Sequence, residues 1–328
     1  MTTSRRALLQ AAAIAAAAPS LAPTPVQAQA WPTRPVSVIM PLQAGSASDI
    51  AVRILAEKMG ETLGNRMVVE NITGAAGLVG AERAARAAPD GYTLAALNNS
   101  ILTILPNVQR RRLGFDPFAD FLPIGGIATI PTFLGVHKDV PVQNVQELIA
   151  LAKARNGEMT YASGGAGSPQ HLATEMFMSM AGVKMVDVPY RGASAAAADL
   201  AAGHVQVMFI AHSLAIPFLD SGMVRLIGFA GPERNPLLPA IPTVAEQGVA
   251  GFDYSSWIAL FAPKETPAPI LARLRADCAA ATADPALQER LARSGLAAWP
   301  RDPAAVVAVM REDDTRWKAV VQAADIRI

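Results

Sequence analysis

The sequence predicts an α/β protein built from two α/β domains, joined by two crossing strands around a central cleft. Short β-branched runs alternate with longer segments of helical periodicity, a pattern typical of a largely parallel sheet covered by helices. The alternation runs through residues 36–97 and restarts after residues 121–127. The chain has 328 residues, and single cores stop growing beyond about 250 to 300 residues. Two domains therefore fit the chain better than one.

The first thirty residues have the pattern of an export signal. Ser4-Arg5-Arg6 is positively charged, residues 7–18 form an apolar run, and Ala28-Gln29-Ala30 matches the small-x-small pattern that signal peptidases cleave. We therefore predict a signal peptide over residues 1–30, cleavage after Ala30, and a mature periplasmic protein that begins at Trp31. The arginine pair also approaches a twin-arginine signal, so the Sec and twin-arginine routes both stay open.

Composition and hydropathy limit the partners. An uncleaved membrane anchor is a weaker alternative, because about 20 apolar residues are needed to cross a bilayer and Gln10 and Pro19 interrupt the run. Without Arg5 and Arg6 the chain has 26 basic and 27 acidic residues, a net charge of −1. No basic block follows that would track a phosphate backbone, so we expect no nucleic-acid partner. The single cysteine, Cys278, cannot form an internal disulfide.

The first predicted domain comprises residues 31–129 and 253–328. Its predicted strands are residues 36–40, 67–70, 93–97, 121–127 and 257–261. We expect a helix with Ser48 as its N-cap and Gly64 at its end, and a glycine-rich turn over residues 74–80 before a second helix. Three C-terminal helices are predicted to start at prolines, where a missing N–H costs nothing. These prolines are Pro269, Pro285 and Pro303.

The second predicted domain comprises residues 130–252. Its predicted strands are residues 133–136, 159–162, 185–188, 205–210 and 226–229, and a helix is expected over residues 145–154. We expect the chain to cross between the domains near residues 126–130 and again near residues 251–255. A two-domain chain with two such crossings has a cleft.

Motifs for catalysis and for cofactor binding are missing. The sequence has no G-x-S-x-G elbow, no G-x-x-x-x-G-K-[ST] loop and no H-E-x-x-H pair. Its four histidines do not fall at metal-ligand spacings. Residues 165–169 resemble part of a dinucleotide-binding loop, but the third glycine is absent. We therefore predict no catalytic residue, no metal and no cofactor.

Two loops that enter helices are candidate sites for a carboxylate. A helix N-terminus has unpaired N–H groups and about half a positive charge, so an anion gains charge-assisted hydrogen bonds there without Lys or Arg. Residues 45–48 offer one such site. Residues 164–168 offer the other, with Ser168 as the expected N-cap and Pro169 at the first helical position. If both loops point into one cleft, an organic carboxylate bridges the two domains.

The residues leave two alternatives open. Either loop alone fits an ordinary strand-to-helix turn. An exported serine hydrolase of α/β architecture would use Ser168 or Ser163 with a distant His171 or His212. The hydrolase predicts ester turnover that disappears in Ser168→Ala, whereas a receptor predicts no turnover and weakened binding.

Ordered motifs follow one another along essentially the whole mature chain. They are Trp31–Val36, Pro41–Asp49, Val68–Asn71, Gly74–Gly77, Pro89–Leu94, Gly165–Leu172, Val188–Gly192, Ile241–Glu246 and Trp257–Pro263. In this order they resemble the extracytoplasmic receptors of tripartite tricarboxylate transporters, the Bug (TctC-like) family. The resemblance implies a bilobal periplasmic-binding-protein fold (type II-like) that closes on a small organic carboxylate and presents it to the permease subunits of the transporter.

The resemblance also implies which residues surround the ligand. The first loop and the glycine-serine loop of the second domain would hold the carboxylate, while the turn after the third strand and two single positions face the cleft. These residues are Gly45, Ser46, Ala47, Ser48, Asp49, Asn98, Asn99, Ser100, Gly165, Ala166, Gly167, Ser168, Tyr190 and Ala211. We expect Asp49 chiefly to cap its helix, because a carboxylate facing an anionic ligand would repel it. His171 is expected chiefly to pack its helix.

Two departures from the family pattern bear on specificity. Ser46 and Ala47 stand where the first loop of the family is commonly glycine-rich, which either narrows the space for the ligand or adds a hydroxyl donor. Residues 208–212 read Met-Phe-Ile-Ala-His where many relatives have Met-Phe-Asp-Asn after the strand. Losing an acidic group and an amide removes partners for a ligand ammonium. We therefore predict a plain or aromatic carboxylate rather than an amino acid.

A third function stays open beside transport and hydrolysis. A ligand-sensing subunit for a membrane sensor kinase would use the same closed form as a transport receptor. We expect a monomer, because such a receptor docks through the faces of its domains.

Overall fold

The computed structural model describes residues 31–109 and 113–324 and confirms the α/β class. The signal peptide predicted for residues 1–30 lies outside the described residues. In the part of the chain that is described, no helix is both long and apolar enough to cross a membrane.

Eleven strands are found in the described residues. They are β1 (Val36–Met40), β2 (Met67–Asn71), β3 (Thr93–Asn98), β4 (Phe121–Thr129), β5 (Thr132–His137), β6 (Thr160–Ser163), β7 (Val186–Pro189), β8 (Val207–Ala211), β9 (Val224–Phe229), β10 (Trp257–Pro263) and β11 (Ala297–Ala298).

The helices cover the faces of the sheets. They are α1 (Ala47–Leu63), α2 (Leu78–Ala85), α3 (Leu105–Val108), α4 (Val145–Ala154), α5 (Pro169–Ala181), α6 (Ala193–Ala202), α7 (His212–Leu219), α8 (Ala268–Ala283), α9 (Pro285–Arg293) and α10 (Pro303–Ala324). A 3₁₀ turn (Ala75–Gly77) precedes α2, and a π-helical turn (Ser100–Ile104) follows β3.

The strands form two mixed sheets. The first has the order β11-β4-β10-β3-β1-β2, with β1 parallel to β2 and β3 and with β10 antiparallel between β3 and β4. The second has the order β7-β6-β8-β5-β9, with β6 parallel to β7 and β8. The carboxyl ends of parallel strands meet at one edge of a sheet, which is where ligands bind in such folds. The loops after β1, β2 and β3 are therefore neighbours.

The chain passes between the sheets twice. Residues 130–131 connect β4 directly to β5, and residues 230–256 connect β9 back to β10. The two passages lie side by side, because Ile130 N donates to Ser256 O at 2.8 Å and Ala230 N donates to Thr132 O, directly after the first passage, at 2.9 Å. The exact domain boundaries, 31–129 with 253–328 and 130–252, stay a prediction.

The N-cap of α1 differs from the expectation. Ser46 is the N-cap, with an extended backbone and an Oγ that accepts from Asp49 N at 3.3 Å. Ser48 is already inside the helix, so its assignment as N-cap is wrong. The expected end at Gly64 is confirmed by its φ of 68°. The cap of α5 by Ser168, with Pro169 at the first position, is also confirmed.

Candidate functional site

A cavity of about 320 Å³ lies between the two domains. This volume is in the range of small-molecule sites. The loops after β1 and β2 and the last residue of β3 form its wall on one side, and the loop after β6 with the start of α6 forms it on the other. Ile130 and Ser256 from the crossing segments, and Thr132 at the start of β5, also line it. The cavity therefore contacts both domains and both passages between them.

More than half of the predicted ligand residues belong to this wall. From the first loop they are Ser46, Ala47 and Ser48; from the second loop they are Gly165, Ala166 and Ser168; Asn98 and Ala211 complete the set. The two loops predicted as carboxylate sites are thus brought to one cavity. Ligand contact by each residue stays a prediction.

The other predicted residues lie behind the wall. Asn99 donates through its Nδ2 to Ser255 O at 2.8 Å, and Ser100 is buried in the π-helical turn. Gly167 N donates to His171 Nδ1 at 3.4 Å. Gly45 and Asp49 lie in a hydrogen-bond network behind the first loop. The hydroxyl of Tyr190 is hydrogen-bonded to Asp199.

Tyr190 packs within its own domain. Burial, together with a hydrogen bond to Asp199, raises the pKa of the Tyr190 phenol to about 12. The hydroxyl therefore stays protonated at neutral pH, and the bond to Asp199 directs it to the last turn of α6 rather than to the cavity wall.

Three side chains hold the first loop from behind. Asp49 Oδ2 accepts from Gly45 N at 2.9 Å and from Arg53 Nε at 2.9 Å, and its Oδ1 accepts from Asn71 Nδ2 at 2.8 Å. Asn71 Nδ2 also donates to Leu42 O at 2.9 Å, and Asn71 Oδ1 accepts from Arg53 Nη2 at 2.8 Å. The network therefore clamps both ends of the loop segment 42–45.

Asp49 is ionised in this network. Its burial alone raises the pKa of the carboxyl, but hydrogen bonds from Arg53, Asn71 and Gly45 outweigh burial and hold the pKa below its ordinary value. Asp49 thus caps the loop through Gly45 N, while the helix N-terminus is capped by Ser46. The adjacent Arg53 offsets its negative charge.

Neutral groups hold the second loop. Ser168 Oγ accepts from Gly164 N at 3.1 Å and from His171 N at 3.3 Å, and Ser163 Oγ accepts from Gly165 N at 3.1 Å. His171 is buried at the base of this loop. Its contacts with Gly167 N and, at 3.9 Å, with Glu175 agree with the expected packing role.

Both loops leave backbone amides free at the cavity. Among the described residues, the amides of Ala47 and Ser48 in the first domain have no protein acceptor, and neither do those of Ala166 and Gln170 in the second. All four residues belong to the cavity wall. Unpaired amides at helix N-termini bind anions. No charged side chain of the described chain lines this wall, so the amides supply the positive potential.

A third loop, which the sequence reasoning left out of the site, also lines the cavity. Residues 73–77 follow β2, and Ala75 and Ala76 have φ values of 46° and 55°. Alanine rarely adopts this left-handed conformation, which costs about 1–3 kcal/mol for each residue and clusters at functional sites. The parallel pairing of β2 with β1 is the signal that could have placed this loop beside the first one.

The two domains touch at one rim of the cavity. Ser194 Oγ at the start of α6 donates to Gly45 O at 3.1 Å. Gly192 lies directly against Gln43, and a Cβ at that position would come within 2.9 Å of the Gln43 side chain. Gly192 also has a φ of 122°, so two constraints favour glycine at this contact.

The residues proposed for a hydrolase do not form a dyad in this structure. In the described part of the chain, Ser168 Oγ and Ser163 Oγ are hydrogen-bonded to backbone amides and to no imidazole. His212 packs edge-on against Phe133 with ring centroids 5.8 Å apart, and burial lowers the pKa of its imidazole.

The chain is similar to known proteins in sequence and in fold. The sequence profile of the family described as "Tripartite tricarboxylate transporter family receptor" matches residues 51–326. Protein BugT of Bordetella pertussis is 31% identical over 303 residues, which cover 91% of this chain and 91% of BugT. R. palustris Rpa4515 with adipate has a TM-score of 0.86 and 32% identity, covering 90% of this chain and 99% of that one. MatC (Rpa3494) from Rhodopseudomonas palustris with bound malate has a TM-score of 0.83 and 31% identity, and the match covers 89% of this chain and 100% of that one.

Proposed function

The chain belongs to the tripartite tricarboxylate transporter receptor family, and on that premise we propose that it captures a small organic carboxylate between its domains and delivers it to the permease subunits of a membrane transporter. Receptors of this family are periplasmic solute-binding proteins. We place the mature chain in the periplasm, with residues 1–30 as the cleaved signal peptide.

The observation that carries the proposal is an uncharged cavity with free amides on both sides. A charge-assisted hydrogen bond contributes about 1.5–3 kcal/mol, so the four amides of Ala47, Ser48, Ala166 and Gln170 together offer about 6–12 kcal/mol before the cost of association. This is a large share of what binding at the micromolar level, roughly −8 kcal/mol, requires. Because the amides come from different domains, the ligand stabilises the closed arrangement of the domains.

The proposed ligand has no ammonium group. A buried charge is costly unless it is paired with an opposite charge, and no Asp or Glu of the described residues lines the cavity to pair with an ammonium. Apolar side chains of Leu42, Phe209 and Leu214 line part of the wall instead. Adipate and malate, found with the two structural relatives, are acids of this kind. Plain and aromatic carboxylates are therefore the proposed class.

We propose no chemical step for this protein. The hydroxyl of Ser168 is used to organise the second loop, and the receptor acts through closure of its domains by a hinge motion at the two crossings. The proposed working form is a monomer that docks on the permease through its domain faces.

A thermal-shift screen of residues 31–328 tests the proposal. The panel contains mono-, di- and tricarboxylates, benzoate and the amino acids that match the dicarboxylates in length. A ligand that binds only the folded state raises the melting temperature, so we expect a shift with a plain or aromatic acid, followed by a calorimetric Kd. Shifts with amino acids alone would overturn the proposed class, and hydrolysis of p-nitrophenyl acetate that disappears in Ser168→Ala would overturn the receptor function.

A further inference from the structure

Two neighbouring asparagines at the end of β3 have opposite hydrogen-bonding states. Asn99 uses both ends of its amide, since Nδ2 donates to Ser255 O at 2.8 Å and Oδ1 accepts from Ser256 Oγ at 3.4 Å. Asn98 uses only one end, because its Oδ1 accepts from Ile101 N at 3.2 Å. Within residues 31–109 and 113–324, the Nδ2 of Asn98 has no hydrogen-bond partner.

The unpartnered amide belongs to the cavity wall. Asn98 is 1% exposed and lines the cavity between the domains. Among the described residues, it is the one buried side chain with an unpartnered polar atom that also lines this cavity. An amide nitrogen is a donor only, and a buried donor left without an acceptor is costly. An acceptor supplied by the ligand would remove that cost.

The orientation of the Asn98 amide is set by the backbone. Because Oδ1 is occupied by Ile101 N, the amide cannot flip without breaking that bond. The group that remains for a ligand is therefore the donor, Nδ2. A donor at this place favours an acceptor oxygen and disfavours an ammonium.

We infer that Asn98 Nδ2 donates to a carboxylate oxygen of the bound acid and is a specificity-determining side chain of the receptor. The inference rests on the proposed function and deepens it. The free backbone amides hold an anion at the loops, and Asn98 adds a side-chain donor from the end of β3.

The sharp test is Asn98→Asp, measured by calorimetric titration with adipate, malate and benzoate. Aspartate has nearly the shape of asparagine and keeps an acceptor for Ile101 N, but it replaces the donor with a negative charge. A charge-assisted hydrogen bond corresponds to about a 10- to 100-fold change in affinity. We expect Asn98→Asp to weaken binding at least 100-fold.

Asn98→Ser separates recognition from packing. The shorter hydroxyl still accepts from Ile101 N, but it does not reach the ligand, so we expect a loss of about 10-fold. A packing role predicts the reverse order, because aspartate preserves the volume of the side chain and serine does not. The matched control is Asn235→Asp: Asn235 is also buried and accepts from Leu237 N at 2.8 Å, but it lies outside the cavity wall. Its affinities should stay within twofold of wild type.

The outcomes separate a failure of the receptor function from a failure of the role inferred for Asn98. If the wild-type protein binds none of the three acids, the proposed function itself fails. If it binds one of them and Asn98→Asp binds that acid equally well, the inference about Asn98 is overturned while the receptor function stands. If Asn98→Asp does not fold, as judged by loss of a cooperative melting transition, the affinity of Asn98→Ser decides: a loss of 10-fold supports the inference, and an unchanged affinity overturns it.

Discussion

The two loops that face the cavity are supported by different chemistry. Behind the first loop lies an ionised carboxylate, Asp49, with Arg53 and Asn71 as partners. Behind the second lie the hydroxyls of Ser163 and Ser168. Both arrangements leave two backbone amides free at the cavity. Both domains therefore place free backbone amides at the cavity. One domain supports them with a charged side chain and the other with neutral hydroxyls.

The difference has an electrostatic consequence. A buried carboxylate beside an anion site would weaken ligand binding if it stood alone. In the first domain Arg53 forms an ion pair with Asp49 at 2.9 Å, so the support is neutral as a whole. The second domain avoids the problem because its support has no charge. The first loop should therefore be sensitive to the ionisation of its support, and the second loop should not.

The largest effect is expected from Asp49→Ala. The substitution removes the acceptor of the Gly45 amide and one acceptor each of Asn71 and Arg53. The three donors are exposed or half-buried, so water takes the place of the carboxylate in part and the loss is about 2 kcal/mol in all; the affinity for the acid should fall about 10-fold because the loop loses its position. Urea unfolding and calorimetry measure the two losses. Glu57→Ala, which removes an exposed carboxylate of the same helix, should cost under about 1 kcal/mol; equal losses would refute the role of the network.

Acid should weaken the first loop selectively. The pKa of Asp49 is held below its ordinary value in the folded protein, so its contribution to stability is complete above the ordinary pKa and is lost as the pH falls through the lowered one. We compare the free energies of unfolding of wild type and Asp49→Asn between pH 3 and 7. The difference should stay constant down to about pH 5 and shrink below about pH 4. A difference that grows in acid would contradict the assignment.

Ser168→Ala should have a smaller effect. It removes the N-cap of α5 and the acceptor of Gly164 N, at a cost of about 1 kcal/mol, and it should also weaken binding several-fold because the second loop is released. Asn144→Ala is the matched control, since Asn144 caps α4 in the same domain away from the cavity. It should lower stability by a similar amount and leave the calorimetric Kd unchanged. Parallel losses of affinity in both variants would show that the loop support is not local.

The smallest effect on stability and affinity is expected from a substitution at the contact between the two domains, where Ser194 bonds to Gly45. Ser194→Ala removes one exposed hydrogen bond to Gly45 O, so stability should change by less than about 0.5 kcal/mol and the affinity by about twofold. Ser221→Ala removes a similar exposed bond, to Phe218 O at 3.1 Å, and should leave the affinity unchanged. A tenfold loss in Ser194→Ala would show that this contact controls closure.

Local patterns predicted the fold well because its elements depend on local signals. The cap at Ser168 with Pro169, and the left-handed glycine at Gly64, are short-range features, and both are confirmed. The N-cap of α1 was misplaced because Ser46 and Ser48 both have suitable side chains. Only the backbone of the loop, with Gly45 at a φ of 75°, decides between them.

The missed parts of the site depend on contacts between distant segments. Ser256 reaches the cavity because it bonds to Asn99, 157 positions earlier in the chain. The network of Asp49 includes Asn71, whose partner cannot be inferred from either helix or strand periodicity. Ala75 and Ala76 adopt positive φ although alanine gives no local indication of it. Tertiary packing decides these features, and one sequence does not contain a pattern for them.

The position of the passages between the domains determines which parts of the protein respond to the size of the ligand. Ile130 lies in the short connection from β4 to β5, and Thr132 follows that connection directly. Ser256 ends the return connection, and all three residues line the cavity. The segments that would bend in the proposed hinge motion thus line the cavity itself. In that motion a bulkier acid would press on the axis of rotation as well as on the two loops, so the length and girth of the solute would set the angle at which closure stops, and with it the shape offered to the proposed permease.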